Sequence, residues 1–250
     1  MPFVTGGYPS LDVTTAAIEA IAHAGASIIE VGIPFSDPIA DGPVIAASMH
    51  DALQAGADPR SVFRAVQTAR AKTSVGLIAM VSVSIVTRIG AKTFVSQAAD
   101  SGFNGLIVPD MDLSQAQELS LLCQSRDIAL ALLVAPTTSP TRMAQITEAC
   151  RGFIYLLARA GLTGEQKASP EISASVNAIR SVSSLPIAAG FGISTPEHVA
   201  AVTKYADAAI VGSAIVGRMG KGDPVKAAAD FTRLLATGLR TGLPVSSDSN

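Results

Sequence analysis

The chain has 250 residues, of which 48% are hydrophobic and only 15% charged, and its net charge is −2. That length and apolar content can bury one large core, while the lack of a basic excess or a long like-charge run speaks against nucleic acid or anionic lipid as a partner. The apolar stretches IALALLV (128–134) and AAIVGSAIVG (208–217) are too short or too glycine-broken to span a bilayer, which takes roughly 20 residues. The opening MPFVTGGYPS carries no charged segment followed by an apolar one, so secretion is not indicated and the cytoplasm is the expected compartment.

In chain order, the first strand candidate is FVT (3–5), and Ser10 then caps a helix whose Val13, Ala17 and Ile21 share one stripe, with Gly25 after its end. SIIEV (27–31) is the second strand and runs into EVGIPFSDPIADGP (30–43), a loop that Pro34 and Pro38 keep from being helical. Asp58-Pro59 opens a helix with Val62, Phe63, Val66 and Ala69 on its apolar face. VGLIAMV (75–81), GLIVP (105–109), IALALLV (128–134), FIYLL (153–157), LPIAAG (185–190) and AAIVG (208–212) complete the strand set, and Ser194-Thr195-Pro196-Glu197 starts another helix. The strands are continuous apolar runs rather than alternating ones, as burial on both faces requires. Roughly eight strand-then-helix units in this length predict an α/β fold, a (β/α)8 TIM barrel in a single domain over 1–240, with a polar, frayed tail at 241–250. A doubly wound open sheet is the second choice, weakened by the absence of GxGxxG after the first strand. Cys123 and Cys150 fall in helical patterns without CxxC spacing and read as reduced core or half-buried thiols. His23, His50 and His198 form no HxxxH or HxH pair, so they are expected on helix surfaces and no metal site is expected.

In such a barrel the active site lies at the carboxyl ends of the strands. Glu30 interrupts SIIEV where an apolar residue is expected, and a buried carboxylate with a raised pKa suits proton transfer near neutral pH. Asp41 sits in the stiffened loop that follows, whereas Asp37 reads as a turn former before Pro38. GFGIST (190–195) and VGSAIVG (211–217) place glycines and the start of a short helix near Ser213 after the last two strands, a pattern suited to phosphate. YLLARAGLTGEQ (155–166) puts Tyr155 in the sixth strand and a candidate lid after it.

These stretches, with PFVTGGYPS at the start and GLIVPD at the fourth strand, resemble the tryptophan synthase alpha chain family in order and spacing over nearly the whole chain. The resemblance implies a retro-aldol lyase that splits indole-3-glycerol phosphate into indole and glyceraldehyde 3-phosphate. It makes Glu30 the general acid-base and Asp41 the acceptor of the indole N–H, with Thr163 closing over Asp41. Phe3, Tyr155 and Phe191 would wall the indole pocket, and the amides of Gly164, Gly192, Gly212 and Ser213 would hold the phosphate. It further implies no cofactor in this chain and a beta chain partner carrying pyridoxal phosphate, two of each forming a heterotetramer. Three features depart from the family pattern: Val83-Ser84-Ile85 stands where an aromatic-Asn-Pro pattern is usual, no helix precedes the first strand, and Ala158 replaces a common serine. Two other readings are a non-catalytic subunit that activates a beta chain, and a different phosphate-binding barrel enzyme.

Overall fold

The computed structural model describes residues 1–37, 41–158, 171–190 and 192–240, Arg240 by its backbone alone; the tail expected at 241–250 lies outside these. Five strands, β1 (Phe3–Thr5), β2 (Ile28–Gly32), β3 (Gly76–Met80), β4 (Gly105–Ile107) and β5 (Ala129–Ala131), pair in parallel in that order. A second parallel set runs β6 (Leu133–Val134), β7 (Ile154–Leu157), β8 (Ile187–Gly190) and β9 (Ala208–Ala209). The 128–134 run expected as one strand is divided at Leu132, because its first half pairs with β4 and its second half with β7. At the other seam the Phe3 N–H donates to the Val211 carbonyl and the Val211 N–H to the Met1 carbonyl, both at 2.9 Å. Those bonds carry the ladder from β9 to β1, so the sheet closes into the expected cylinder and the open-sheet alternative falls away.

Helices clothe the cylinder. α1 (Leu11–His23) follows β1; α2 (Pro43–Gln54) and α3 (Pro59–Arg70) follow β2; α4 (Val83–Ile89) and α5 (Ala91–Asp100) follow β3; α6 (Leu113–Ser125) follows β4. α7 (Pro140–Ala149), α8 (Ser173–Arg180) and α9 (Pro196–Thr203) follow β6, β7 and β8, and α10 (Ser213–Met219) and α11 (Pro224–Arg240) end the described chain. The starts read from sequence are real caps: Ser10 Oγ accepts from the Val13 N–H at 3.2 Å, Asp58 Oδ1 from Ser61 at 2.7 Å and Thr195 Oγ1 from His198 at 3.2 Å. Each such cap is worth about 1 kcal/mol.

Alternation along the strands separates two layers. Val4, Ile29, Val31, Leu77, Ala79 and Leu106 face the helices, where Phe63 meets Phe94 and Phe103 edge-on with centroids 5.4 and 5.8 Å apart. Ile78, Ile107, Ala131, Tyr155, Ala188 and Ile210 fill the interior of the cylinder. One surface expectation fails: His198 is only 4% exposed. α11 crosses the first turn of α9 so closely that a Cβ on Gly238 would lie 2.1 Å from the Pro196 carbonyl oxygen, and the His198 Nδ1 accepts the Ser194 N–H at 3.3 Å. His23 and His50 are exposed as expected, and both cysteines are free and buried.

Candidate active site

Glu30 pairs in register with Phe3 on one side and Ile78 on the other, between Ile29 and Val31, which face the helices. Its side chain therefore points into the cylinder. It is 0% exposed, and neither carboxylate oxygen has a hydrogen-bond partner among the described residues. Burial pushes its pKa up from 4.5 to about 8, with the Met1 ammonium pulling weakly the other way. At pH 7 the group is thus a neutral acid with a proton to give.

Phe3 and Tyr155 are its aromatic neighbours, and glycines make their room. A Cβ on Gly32 would lie 2.5 Å from the Phe3 Cζ, and one on Gly190 would lie 2.6 Å from the Tyr155 Oη. Phe3 also packs with Ile45 and Met49 of α2 and Val216 of α10. Burial raises the Tyr155 phenol well above its usual range, and the charges of Glu30 and Asp41 push it further the same way. One buried phenol thus senses both carboxylates. Asp41 immediately precedes Gly42, the N-cap of α2, and burial lifts its pKa from 3.8 to about 6, so it is mostly ionised at pH 7. The site therefore holds a protonated and an ionised carboxyl group, both within electrostatic reach of one buried phenol, the separation of pKa values that acid-base assignments require.

At the same mouth, Gly212 stands beside Phe3, whose Cβ would be 3.7 Å from a Cβ added to the glycine. Gly212 caps α10, so the leading amides of that helix, beginning at the buried Ser213, have no partner within it. Gly192 has a φ of 79°, a turn that favours glycine, in the loop after β8. The structure thus brings Glu30, Asp41, Phe3 and Tyr155 together at one mouth, with Gly212 and Ser213 at its rim. Thr163, Gly164 and Phe191 lie outside the described residues. Asp37 is exposed, in keeping with its reading as a turn residue, and Ala158 is buried at the end of β7.

The unusual Val83-Ser84-Ile85 segment forms the first turn of α4, which Ser82 caps. Asp110 of the next loop accepts from the Ser82 hydroxyl at 2.7 Å and the Val83 N–H at 2.8 Å, tying the two loops together. Sequence reasoning missed this tie, and it also missed the buried hydroxyl pair of Thr5 and Ser48, whose oxygens lie 2.7 Å apart. The inward glycines could have been found: a glycine at the end of an apolar strand, level with an aromatic residue on a neighbouring strand, signals a ring lying across it. Among the described residues no three His, Cys, Asp or Glu side chains gather to hold a metal ion, and no helix is long and apolar enough to cross a membrane.

The family model described as tryptophan synthase alpha chain matches residues 1–239. A tryptophan synthase alpha chain of Rhodopirellula baltica is 43% identical over 244 residues, covering 92% of this chain and 87% of that one. A solved tryptophan synthase of Mycobacterium tuberculosis superposes with a TM-score of 0.88 at 34% identity over 96% of this chain and 91% of that one. The tryptophan synthase subunit alpha of Legionella pneumophila gives 0.87 at 30% identity, with 96% and 92% covered. With a buried acid on β2, a second carboxylate before α2 and nearly full-length similarity, the chain belongs to the tryptophan synthase alpha chain family.

Proposed function

We propose that this chain is the lyase subunit of a tryptophan synthase, cleaving indole-3-glycerol phosphate to indole and glyceraldehyde 3-phosphate in tryptophan biosynthesis. The observation that carries the reading is the pair of carboxyl groups with opposite protonation at one barrel mouth, Glu30 with a pKa of about 8 and Asp41 of about 6.

Glu30 gives its proton to indole C3, which turns the ring into an iminium cation. Asp41, ionised, accepts the hydrogen bond of the indole N–H and stabilises that cation. Glu30, now a carboxylate, takes the proton of the hydroxyl on the carbon bonded to C3. The O–H electron pair becomes the carbonyl of the aldehyde, the carbon–carbon bond breaks, and its electrons return to the ring to neutralise the iminium. One proton has moved from hydroxyl to ring carbon, and Glu30 ends as it began. Phe3, Tyr155 and Phe191 wall the indole ring, Thr163 closes over Asp41, and the amides of Gly164, Gly192, Gly212 and Ser213 bind the phosphate in this reading.

The proton shuttle needs no resident cofactor, and we assign pyridoxal phosphate to a beta chain that receives the indole, in a cytoplasmic assembly of two alpha and two beta chains. Indole release from indole-3-glycerol phosphate by the purified chain, alone and with a beta chain, tests the proposal. The wild type should release indole and gain rate with the partner, while Glu30→Gln and Asp41→Asn should each lose roughly 100-fold or more, as for loss of a general acid or of a key electrostatic group. Full activity in Glu30→Gln would reject the mechanism.

A further inference from the structure

Two hydroxyl groups that the reaction does not use are buried between the end of β1 and the first turns of α2. Thr5 is 0% and Ser48 2% exposed, and their oxygens lie 2.7 Å apart. The Ser48 hydroxyl proton has its own acceptor, the Ile45 carbonyl at 2.8 Å. Thr5 must therefore be the donor in the pair, and the bond has a direction.

Its place in the fold gives it a consequence. On β1, Thr5 is paired with Gly32 on the inner face of the cylinder, two residues beyond Phe3 and its partner Glu30. On α2, Ser48 lies beside Met49, which with Ile45 packs on Phe3 and Val216. Apolar packing of that kind is non-directional and allows a helix to slide or roll by a fraction of an ångström, whereas a buried hydrogen bond fixes one setting. α2 begins at Pro43 with Gly42 as its cap, and Asp41 is the residue before the cap. The setting of α2 on β1 is thus the setting of Asp41 relative to Glu30.

Resting on the proposed function, we infer that the Thr5–Ser48 hydroxyl pair is a positioning device that holds Asp41 in register with Glu30. Both act through α2, the helix that begins two residues after Asp41.

The experiment combines steady-state indole release with 13C NMR of the Asp41 carboxyl carbon, assigned by its loss in Asp41→Asn. Thr5→Val keeps the shape and removes the donor, Ser48→Ala removes the acceptor, and Thr5→Ser keeps the hydroxyl. Both disruptive variants should lower kcat by roughly tenfold, the scale expected for a sub-ångström misplacement of a catalytic group, with KM changed by less than about twofold. Thr5→Ser should restore kcat. In an Asp41→Asn background Thr5→Val should cost nothing more, because the group it positions is gone. The Asp41 resonance should move in Thr5→Val and superpose on wild type in Thr5→Ser. An equal loss in both backgrounds, or an unmoved resonance in Thr5→Val and Ser48→Ala, would overturn the inference. Absence of indole release by the wild type would instead reject the proposed function, and the resonance comparison alone would then decide this one.

Discussion

Replacing Glu30 with glutamine should make the protein's stability respond differently to pH, by an amount that follows from the raised pKa of the buried carboxyl group. The carboxyl group titrates near 4.5 when solvated and near 8 in the folded chain. The folded state therefore holds its proton more tightly, and stability falls as pH rises from 4.5 toward 8 because the unfolded state releases the proton first. At about 1.4 kcal/mol per unit, and allowing for partial ionisation of the unfolded chain at pH 5, the loss between pH 5 and pH 7 is about 2–3 kcal/mol. Glutamine is close in shape and carries no proton to release, so Glu30→Gln escapes this loss. Urea unfolding followed by circular dichroism at both pH values should show the variant gaining about 2–3 kcal/mol on wild type across the interval, roughly 1 M in urea midpoint. A difference between the two proteins that is the same at pH 5 and pH 7 would refute a buried, protonated Glu30.

The kcat/KM for indole release should be bell-shaped with pH: the acid limb falls below about 6 as Asp41 takes up a proton, and the alkaline limb above about 8 as Glu30 loses its own. A flat profile between pH 5 and 9 would contradict both assignments. Gly190→Ala would put a Cβ 2.6 Å from the Tyr155 Oη and 3.1 Å from the Ile210 Cβ, so it should cost about 1–3 kcal/mol in thermal or urea unfolding and lower kcat by displacing the phenol. Unchanged stability and rate there would show that the ring has room to move. Asp110→Ala removes the acceptor for the Ser82 hydroxyl and the Val83 N–H, so it should destabilise the chain by about 1–2 kcal/mol in urea unfolding while indole release by the isolated chain stays within about twofold of wild type.

Most of the barrel was legible in the sequence because its strands are buried on both faces, which leaves continuous apolar runs such as GLIAM and IAAG with turn residues between them. The division of 128–134 into β5 and β6 was not, since it depends on which neighbour each half pairs with once the cylinder closes. Glu30 was legible for a related reason: a lone carboxylate in an apolar strand stands out by its cost. The GFGIST pattern suits phosphate in the sequence, and the structure gives its Gly190 a task the pattern does not announce, clearing space for Tyr155. The Thr5–Ser48 bond joins residues 43 positions apart, and two small hydroxyls carry no periodicity or motif to announce that they meet. His198 followed a clear capping signal, yet its burial depends on α11, whose path over α9 is a tertiary event.

At neutral pH Glu30 holds its proton in readiness for the ring carbon. Infrared difference spectroscopy of wild type minus Glu30→Gln reads this directly, through the carbonyl band of a protonated carboxylic acid. The band should be present at pH 7 and fade with a midpoint near 8. Its absence at pH 6, with a carboxylate band in its place, would show an ionised Glu30 and contradict its role as the proton donor.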